Sequence, residues 1–291
     1  MHFRHPLLLT ILLAAAPLSQ AITIRDDVGD DGAPGSTPPL GALELAAEAA
    51  YASVGKLNRS GDITSGVLID PYFVLTAAHV VLNAPANGFI FTIGNFDYTS
   101  AGYTASGVDD LAIIQLASPV LNVTPALLYT GSAEVGQLAT LVGFGEGGLG
   151  STGATTARGT KRAATNLISA TQDVGLGTTT GRMLLYDFDS GIPQHSYFSP
   201  FTQTSQEGMI AAGDSGGGTF ATINSLSYLI GIHAGVWSDG DGFAADYGDA
   251  GGDVRVSTAS PFIQSVVPEP SSIACLGSGL ALLGMRRNRK R

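Results

Sequence analysis

The sequence predicts an all-β protein of antiparallel strands, arranged as barrels or sandwiches. Three observations carry that expectation. Apolar runs of four to seven residues alternate with clusters of Gly, Ser, Asn and Asp through most of the chain, and short strands at such spacing are the pattern of antiparallel sheets. Gly supplies 39 of 291 residues, about twice its usual share, which favours turns over long helices. No strand–helix–strand alternation is visible, so a parallel doubly wound sheet is excluded. Gly does not recur every third residue, which excludes a collagen-like chain.

In chain order, residues 1–21 read as a secretory signal. His2, Arg4 and His5 make a weakly basic start, a largely apolar run of ten spans Leu7 to Ala16, and Ser19-Gln20-Ala21 offers small residues for cleavage. Residues 22–50 are loop-rich, with Asp30-Asp31-Gly32 and Ser36-Thr37-Pro38-Pro39, and an Ala-rich stretch from Leu40 to Tyr51 predicts a short helix. The body, 51–266, has strand candidates at 65–69, 72–75, 89–93, 111–116, 138–144, 183–188, 218–221, 228–233 and 253–257. Residues 118–136 link two halves, and 261–266 predict a short closing helix. Residues 145–153 read as a flexible Gly-rich loop. They are no phosphate cradle, because G-K-[ST] and a following helix pattern are missing.

Without the signal and the last 25 residues, the body holds 8 basic and 23 acidic residues, a net charge of about −15. That balance excludes nucleic acid as a partner, since phosphate binding needs clustered cations. Cys275 is the only cysteine, so there is no internal disulfide and no cysteine-based metal cluster.

The sharpest chemical feature is Gly213-Asp214-Ser215-Gly216-Gly217-Gly218. Flanking glycines let the backbone turn so that the Ser215 hydroxyl projects, and leave the N–H groups of Gly213 and Ser215 open to an oxyanion. A serine hydroxyl needs a base to take its proton. His79 follows an apolar strand in Leu75-Thr76-Ala77-Ala78-His79. A carboxylate must orient that imidazole, and Asp110, abutting the apolar run 111–116, is favoured over Asp109. Gly213-x-Ser215-x-Gly217 also fits the nucleophile elbow of α/β-hydrolases, but that scheme runs Ser, acid, His with a helix after the Ser. Here the order is His79, Asp110, Ser215, and a strand-like Thr219-Phe220 follows.

Thr76-Ala77-Ala78-His79, Asp110-Leu111-Ala112-Ile113 and Gly213-Asp214-Ser215-Gly216-Gly217 together resemble the three signature blocks of the trypsin-like serine peptidases. Val254-Arg255-Val256-Ser257 and Phe262-Ile263-Gln264 resemble that family's closing strand and helix. The resemblance spans roughly 51–266. It implies two six-stranded antiparallel barrels with the site in the cleft between them and a short C-terminal helix. It further implies Ser215 as nucleophile, His79 as general base and then acid, Asp110 as its orienting partner, and the Gly213 and Ser215 amides as the oxyanion hole. Animal members of the family carry several disulfides, and this body has none. The 31 residues from His79 to Asp110 are few for the family, so a surface loop is trimmed there.

In the family, the residue matching Asp214 can pair with a freed N-terminal amine, and Ile22 is a suitable type for that role. The expected pocket residues are Met209, Ile210, His233 and Gly235, with Ala211, Ala212 and Ala234 beside them. Met209 stands where trypsin has an Asp, so a basic preference has no support. Gly231-Ile232-His233 resembles the glutamyl endopeptidases, which implies that His233 selects an acidic side chain; a satisfied barrel histidine is the competing reading. Asp239-Gly240-Asp241-Gly242 resembles the start of a calcium loop, but position 250 is Ala250 where a closing Glu is expected, so the segment reads as an acidic surface loop. His195 reads as an exposed loop residue. No metal and no cofactor are called for.

Val267-Pro268-Glu269-Pro270, the apolar stretch Ser271 to Met285 and the basic end Arg286-Arg287-Asn288-Arg289-Lys290-Arg291 resemble the PEP-CTERM sorting signal of Gram-negative bacteria. Fifteen apolar residues reach only about 22 Å as a helix, short of a hydrocarbon core of about 30 Å. The resemblance implies an exported protein at the periplasm, cell surface or matrix. Residues 267–291 would form a hydrophobic sorting helix that anchors it transiently in the inner membrane, until an exosortase-type protease removes the tail. The expected function is an exported endopeptidase acting on protein or peptide substrates through an acyl-enzyme. The alternative is a catalytically weak trypsin-fold protein that binds surface or matrix components.

Overall fold

The computed structural model describes residues 21–29, 41–172, 182–198 and 200–268. The expected signal therefore lies outside the described residues except for Ala21, and the expected sorting segment except for Val267 and Pro268. Among the described residues no helix is long and apolar enough to cross a membrane, so the expected sorting helix has no counterpart there.

The chain enters as a three-residue strand, β1 (Ile22–Ile24), that the loop-like composition of 22–50 conceals. The predicted 40–51 helix is cut in two: α1 (Ala42–Ala46) and a 3₁₀ turn over Ala49–Tyr51. The break falls at Glu48, whose ψ of 143° is extended. Beyond it Tyr51 is held by tertiary contacts, an edge-on packing against Phe220 with ring centroids 5.4 Å apart and a 2.8 Å hydrogen bond to Thr140 Oγ1.

The first half is a closed six-stranded antiparallel barrel. Its elements are β2 (Val54–Arg59), β3 (Asp62–Asp70), β4 (Phe73–Thr76), the one-turn helix α2 (Ala78–Val81), β5 (Ile90–Ile93), β6 (Phe96–Ala105) and β7 (Ala112–Leu116). The hydrogen-bonded order is β2-β3-β4-β7-β6-β5, closed by β5 on β2. The apolar runs of β3, β4 and β7 are continuous rather than alternating because both of their faces are buried. Leu68, Val74 and Ile114 enter a cluster made only of first-half side chains, while their neighbours Val67, Leu75 and Ile113 enter a cluster shared with Val142, Phe220 and Ile232 of the second half. With a period of two, each strand feeds two cores at once. β2 and β6 have no counterpart among the predicted strands, because polar and half-exposed or exposed positions space out their apolar residues.

After the 118–136 link come β8 (Leu138–Gly143), β9 (Gly147–Leu149), β10 (Gly153–Thr156), β11 (Arg162–Leu167), β12 (Ala170–Gln172), β13 (Met183–Asp187), β14 (Gly208–Met209), β15 (Gly218–Ile223), β16 (Leu226–Trp237) and β17 (Ala250–Arg255). They form a seven-stranded sheet in the order β11-β8-β15-β16-β17-β13-β12 and a small sheet β10-β9-β1-β14. The expected second six-stranded barrel is therefore not found closed. β11 and β12 are the two edges, and β12 is only three residues long. Residues 145–153, expected as a loop, contain β9, paired in parallel with β1.

The final helix α3 (Val256–Val266) begins a full turn before the predicted 261–266. Ser257, Thr258 and Ser260 are weak helix formers, but Val256, Ala259 and Ile263 make a buried stripe at helical spacing that draws the segment in. Arg255 and Ser257 anchor its start by hydrogen bonds of 2.7–2.8 Å to the buried Glu134 of the link.

Candidate active site

Strand register brings the first two candidates together. β4 and β7 pair with Thr76 opposite Ala112. The residues just after β4 therefore meet those just before β7, and α2 turns His79 onto Asp110. The His79 amide donates to Asp110 Oδ1 at 2.8 Å, and His79 Nδ1 lies 2.6 Å from Oδ2. Two contacts to one carboxylate fix both the ring and its backbone. That hydrogen bond raises the imidazole pKa above its ordinary value, against the opposing effect of burial.

The Ser215 turn reaches the same place from the second half. His79 Nε2 lies 2.8 Å from Ser215 Oγ. The turn is shaped by Gly213 at φ 91° and Gly216 at φ 80°, a region costly for side chains. A Cβ at Gly216 would sit 2.0 Å from Thr76 Oγ1 and 2.3 Å from the Ser65 carbonyl oxygen. Among the described residues, the Gly213 and Ser215 amides donate to no acceptor.

Ser65 and Thr76 were not foreseen as part of this assembly. Ser65 is fully buried on β3, and its amide donates to the Ser215 carbonyl at 3.0 Å. Its hydroxyl accepts from Phe144 N at 2.9 Å, and Thr76 Oγ1 donates to its carbonyl at 2.9 Å. These bonds tie the Ser215 turn to the first barrel. No sequence signal marks Ser65, because a serine in a strand resembles any other. Asp109, the disfavoured acid, is buried and ion-paired with Arg182.

Asp214 points away from the cleft and is fully buried. Its carboxylate accepts from Gly145 N at 2.7 Å and Ala211 N at 2.9 Å, and from the Ile22 backbone N–H. Burial pushes its pKa up to about 6, against these hydrogen bonds and the nearby His233. Ile22 is itself fully buried, and its φ of 61° is unusual for a β-branched residue.

Beside Ser215 opens a cleft of about 270 Å³ walled by Ile210, His233, Gly235, Val236, Ala244 and Ala245, with Glu146 at its edge. Ile210, His233 and Gly235 are among its lining residues. Met209 is not. It is fully buried on β14 opposite Thr23 of β1, in a core cluster with Ile22 and Ile24. The pairing of β14 with β1 turns that side chain inward, which no pattern in 208–212 announces. Glu146 was not foreseen either; it is ion-paired at 3.1 Å with Arg158, which also reaches Asp62 of β3 at 2.9 Å.

His233 has no exposed surface. Its Nδ1 lies 2.9 Å from Asp253 Oδ1, and Asp253 also accepts from Thr219 and from Tyr186. Its Nε2 is buried without a hydrogen-bond partner. The ring is thus held at one nitrogen only. His195 is exposed and bonded to Ser190 Oγ at 2.8 Å, as a loop residue.

The description Trypsin matches the chain over residues 44–263, and the PEP-CTERM protein-sorting motif matches residues 266–290. No curated protein matches the chain. The sorting motif marks an exported protein that is sorted through the membrane and recognised by an exosortase. A match over some three quarters of the length, on a mostly β fold with a closed six-stranded barrel, leads to one conclusion: this chain belongs to the trypsin family of serine peptidases.

Proposed function

We propose that the protein is an exported serine endopeptidase that hydrolyses peptide bonds through an acyl-enzyme formed on Ser215. The observation that carries this reading is the 2.8 Å approach of His79 Nε2 to Ser215 Oγ with Asp110 2.6 Å from Nδ1. Asp110 accepts the Nδ1 proton, which leaves the Nε2 lone pair facing the hydroxyl. His79 takes the Ser215 proton as Oγ attacks the carbonyl carbon, and the Gly213 and Ser215 amides receive the oxyanion. His79 then protonates the leaving amine as the C–N bond breaks. Water repeats the sequence against the ester. A nitrophenyl ester tests this by stopped flow. The expected result is a burst of one nitrophenol per enzyme before the steady state; a linear trace with no covalent acyl adduct by mass spectrometry sinks it.

His79 must be neutral to act as base. Its pKa is raised by Asp110, so kcat/KM climbs with pH and the midpoint of the climb lies above the ordinary imidazole value of 6.5. Asp110→Asn removes the cause. The midpoint then moves down and the rate falls by about 10⁴, as a pH–rate profile of both forms would reveal.

For specificity, the orphaned Nε2 of His233 favours the acidic reading over the satisfied-histidine one. With Nδ1 taken by Asp253, Nε2 is the ring atom left for a substrate carboxylate, in a cleft whose wall is mostly apolar apart from Glu146. Matched chromogenic peptides ending in Glu, Leu or Arg are the measurement. Glu is expected to be best, with its advantage lost in His233→Ala; Arg as the best substrate ends the idea. Because the body carries about −15, the rate on the Glu peptide should rise with salt as repulsion is screened.

Activation follows from Ile22. Cleavage after Ala21 would remove the peptide bond that defines the strained φ of Ile22 and place an ammonium where an amide now meets Asp214. Residues 1–21 would thus serve both for export and as the activation segment. Residues 51–266 would carry the chemistry, and 267–291 would hold the product at the inner membrane until the tail is cut, leaving it in the periplasm or on the cell surface.

A further inference from the structure

Among the described residues that line the cleft beside Ser215, the ionisable side chains other than the serine are His233 and Glu146; the rest of the wall is Ala, Ile, Gly and Val. The two pull in opposite directions. A carboxylate at the edge of an apolar cleft draws in a cationic side chain and repels an anionic one. What Glu146 does there depends on Arg158. Its Oε1 accepts from Arg158 Nε at 3.1 Å, and its Oε2 has no hydrogen-bond partner among the described residues. Arg158 Nη1 donates to Asp62 Oδ1 at 2.9 Å, at the start of β3 in the first barrel. The stem of Arg158 lies over the nucleophile turn, since a Cβ at Gly213 would sit 2.5 Å from Arg158 Cδ and 2.7 Å from Nε. The backbones that carry the pair are tied down as well. Gly159 N donates to the Phe144 carbonyl at 2.8 Å, and Glu146 N to the Ala212 carbonyl at 2.7 Å. A planar guanidinium fixed at two nitrogens and along its stem keeps its charge on Glu146. Asp62 does not line the cleft, and its side chain is 56% exposed against 35% for Glu146. Water screens its charge, and its part is to hold the guanidinium.

We propose that Arg158 determines specificity in this peptidase: it neutralises Glu146, so that the cleft turns away basic side chains and admits neutral and acidic ones. The proposal rests on the reading of this cleft as the pocket for the substrate side chain, and it deepens that reading. An uncovered Glu146 would oppose the acidic preference read from His233, and the charge of Arg158 lifts that opposition. Arg158 touches no reacting atom. It is a positioning residue that acts through Glu146.

The experiment measures kcat and KM on the matched Glu, Leu and Arg peptides for the exported protein, Arg158→Gln, Glu146→Gln and the double variant. Gln keeps the stem as far as Cδ, so the contact with Gly213 survives while the charge is lost. Arg158→Gln is expected to raise the Arg-to-Glu ratio of kcat/KM by about tenfold, because the uncovered carboxylate acts on the two peptides with opposite sign. The shift should sit in KM, leave the Leu peptide nearly unmoved and shrink in high salt. Glu146→Gln uncovers the guanidinium instead and should lower the ratio, and the double variant, with both charges gone, should return close to the unaltered protein. Arg158→Lys should restore much of the original ratio. Should Arg158→Gln fail to fold, Arg158→Met, also uncharged and of similar length, should shift the ratio the same way. An equal loss of kcat on all three peptides overturns the proposal, because Arg158 then only supports the Gly213 turn. A raised ratio that persists in the double variant also overturns it, because the charge then acts without Glu146. The nitrophenyl ester burst reads the Ser215 chemistry separately: a burst that is intact while the ratio stays unmoved sinks the role of Arg158 alone. The shift is a ratio, so it is decided even where the Glu peptide is not the best substrate.

Discussion

Ser215→Ala is expected to lower kcat/KM on any peptide substrate by three to six powers of ten, roughly, and to abolish labelling by a fluorophosphonate. Among the described residues the hydroxyl is the group that His79 Nε2 reaches, at 2.8 Å, so the proton transfer has no substitute there. His79→Ala should cost about as much, and the double variant little more, because residues that act as a unit lose their effect together. The fold should survive. Ser215 is only partly buried, its turn is held by backbone bonds to Ser65 and His233, and its side chain fills no core space. A small change in stability, within about 0.5 kcal/mol, is the expected accompaniment. Full labelling of Ser215→Ala would move the nucleophile elsewhere and dismantle the mechanism.

The second large effect concerns the terminus. A mature chain beginning at Ile22 should be active, and the same chain with one added alanine before Ile22 should lose about 10²-fold or more. The added residue separates an ammonium from Asp214, and leaving a buried charge without its partner costs several kcal/mol. Asp214 also sets the sign of the pH dependence. With an amide beside it, its pKa is raised to about 6 from 3.8. The folded state then holds a proton that the unfolded state releases, so stability present at low pH is lost as pH rises from about 4 to 6. An ammonium at the same place lowers that pKa and reverses the trend. The two chains should therefore differ most in melting temperature between pH 6 and the titration of the amine, around 8, and converge in acid. Equal activity and equal melting curves would remove Ile22 from the activation scheme.

Seven of the nine predicted strands recur almost where the apolar runs place them, because a run with both faces buried announces itself. The other two are shifted: the run at 253–257 ends at Arg255 as β17, and the run at 228–233 is the middle of the much longer β16. The strands that escaped notice fail for specific reasons. β9 is two glycines and a leucine, and β14 is a glycine and a methionine; neither has enough side chain to show a period. β1 hides in an acidic, Pro-rich leader and becomes a strand only by pairing with those two.

The sequence by itself determined the class of fold, the order His79, Asp110, Ser215 and the sorting tail. Each of these is written in local runs of a few residues: turn chemistry, a strand followed by an imidazole, an apolar stretch before a basic end. Only the tertiary structure decided that Ser65 pins the nucleophile turn, that Met209 faces the core while Glu146 faces the cleft, and that His233 keeps one nitrogen unsatisfied. These depend on which strands pair and on which face of a strand a residue falls. A one-residue change of register reverses that face without altering any local pattern, so they are properties of assembly, and no window of neighbouring residues contains them.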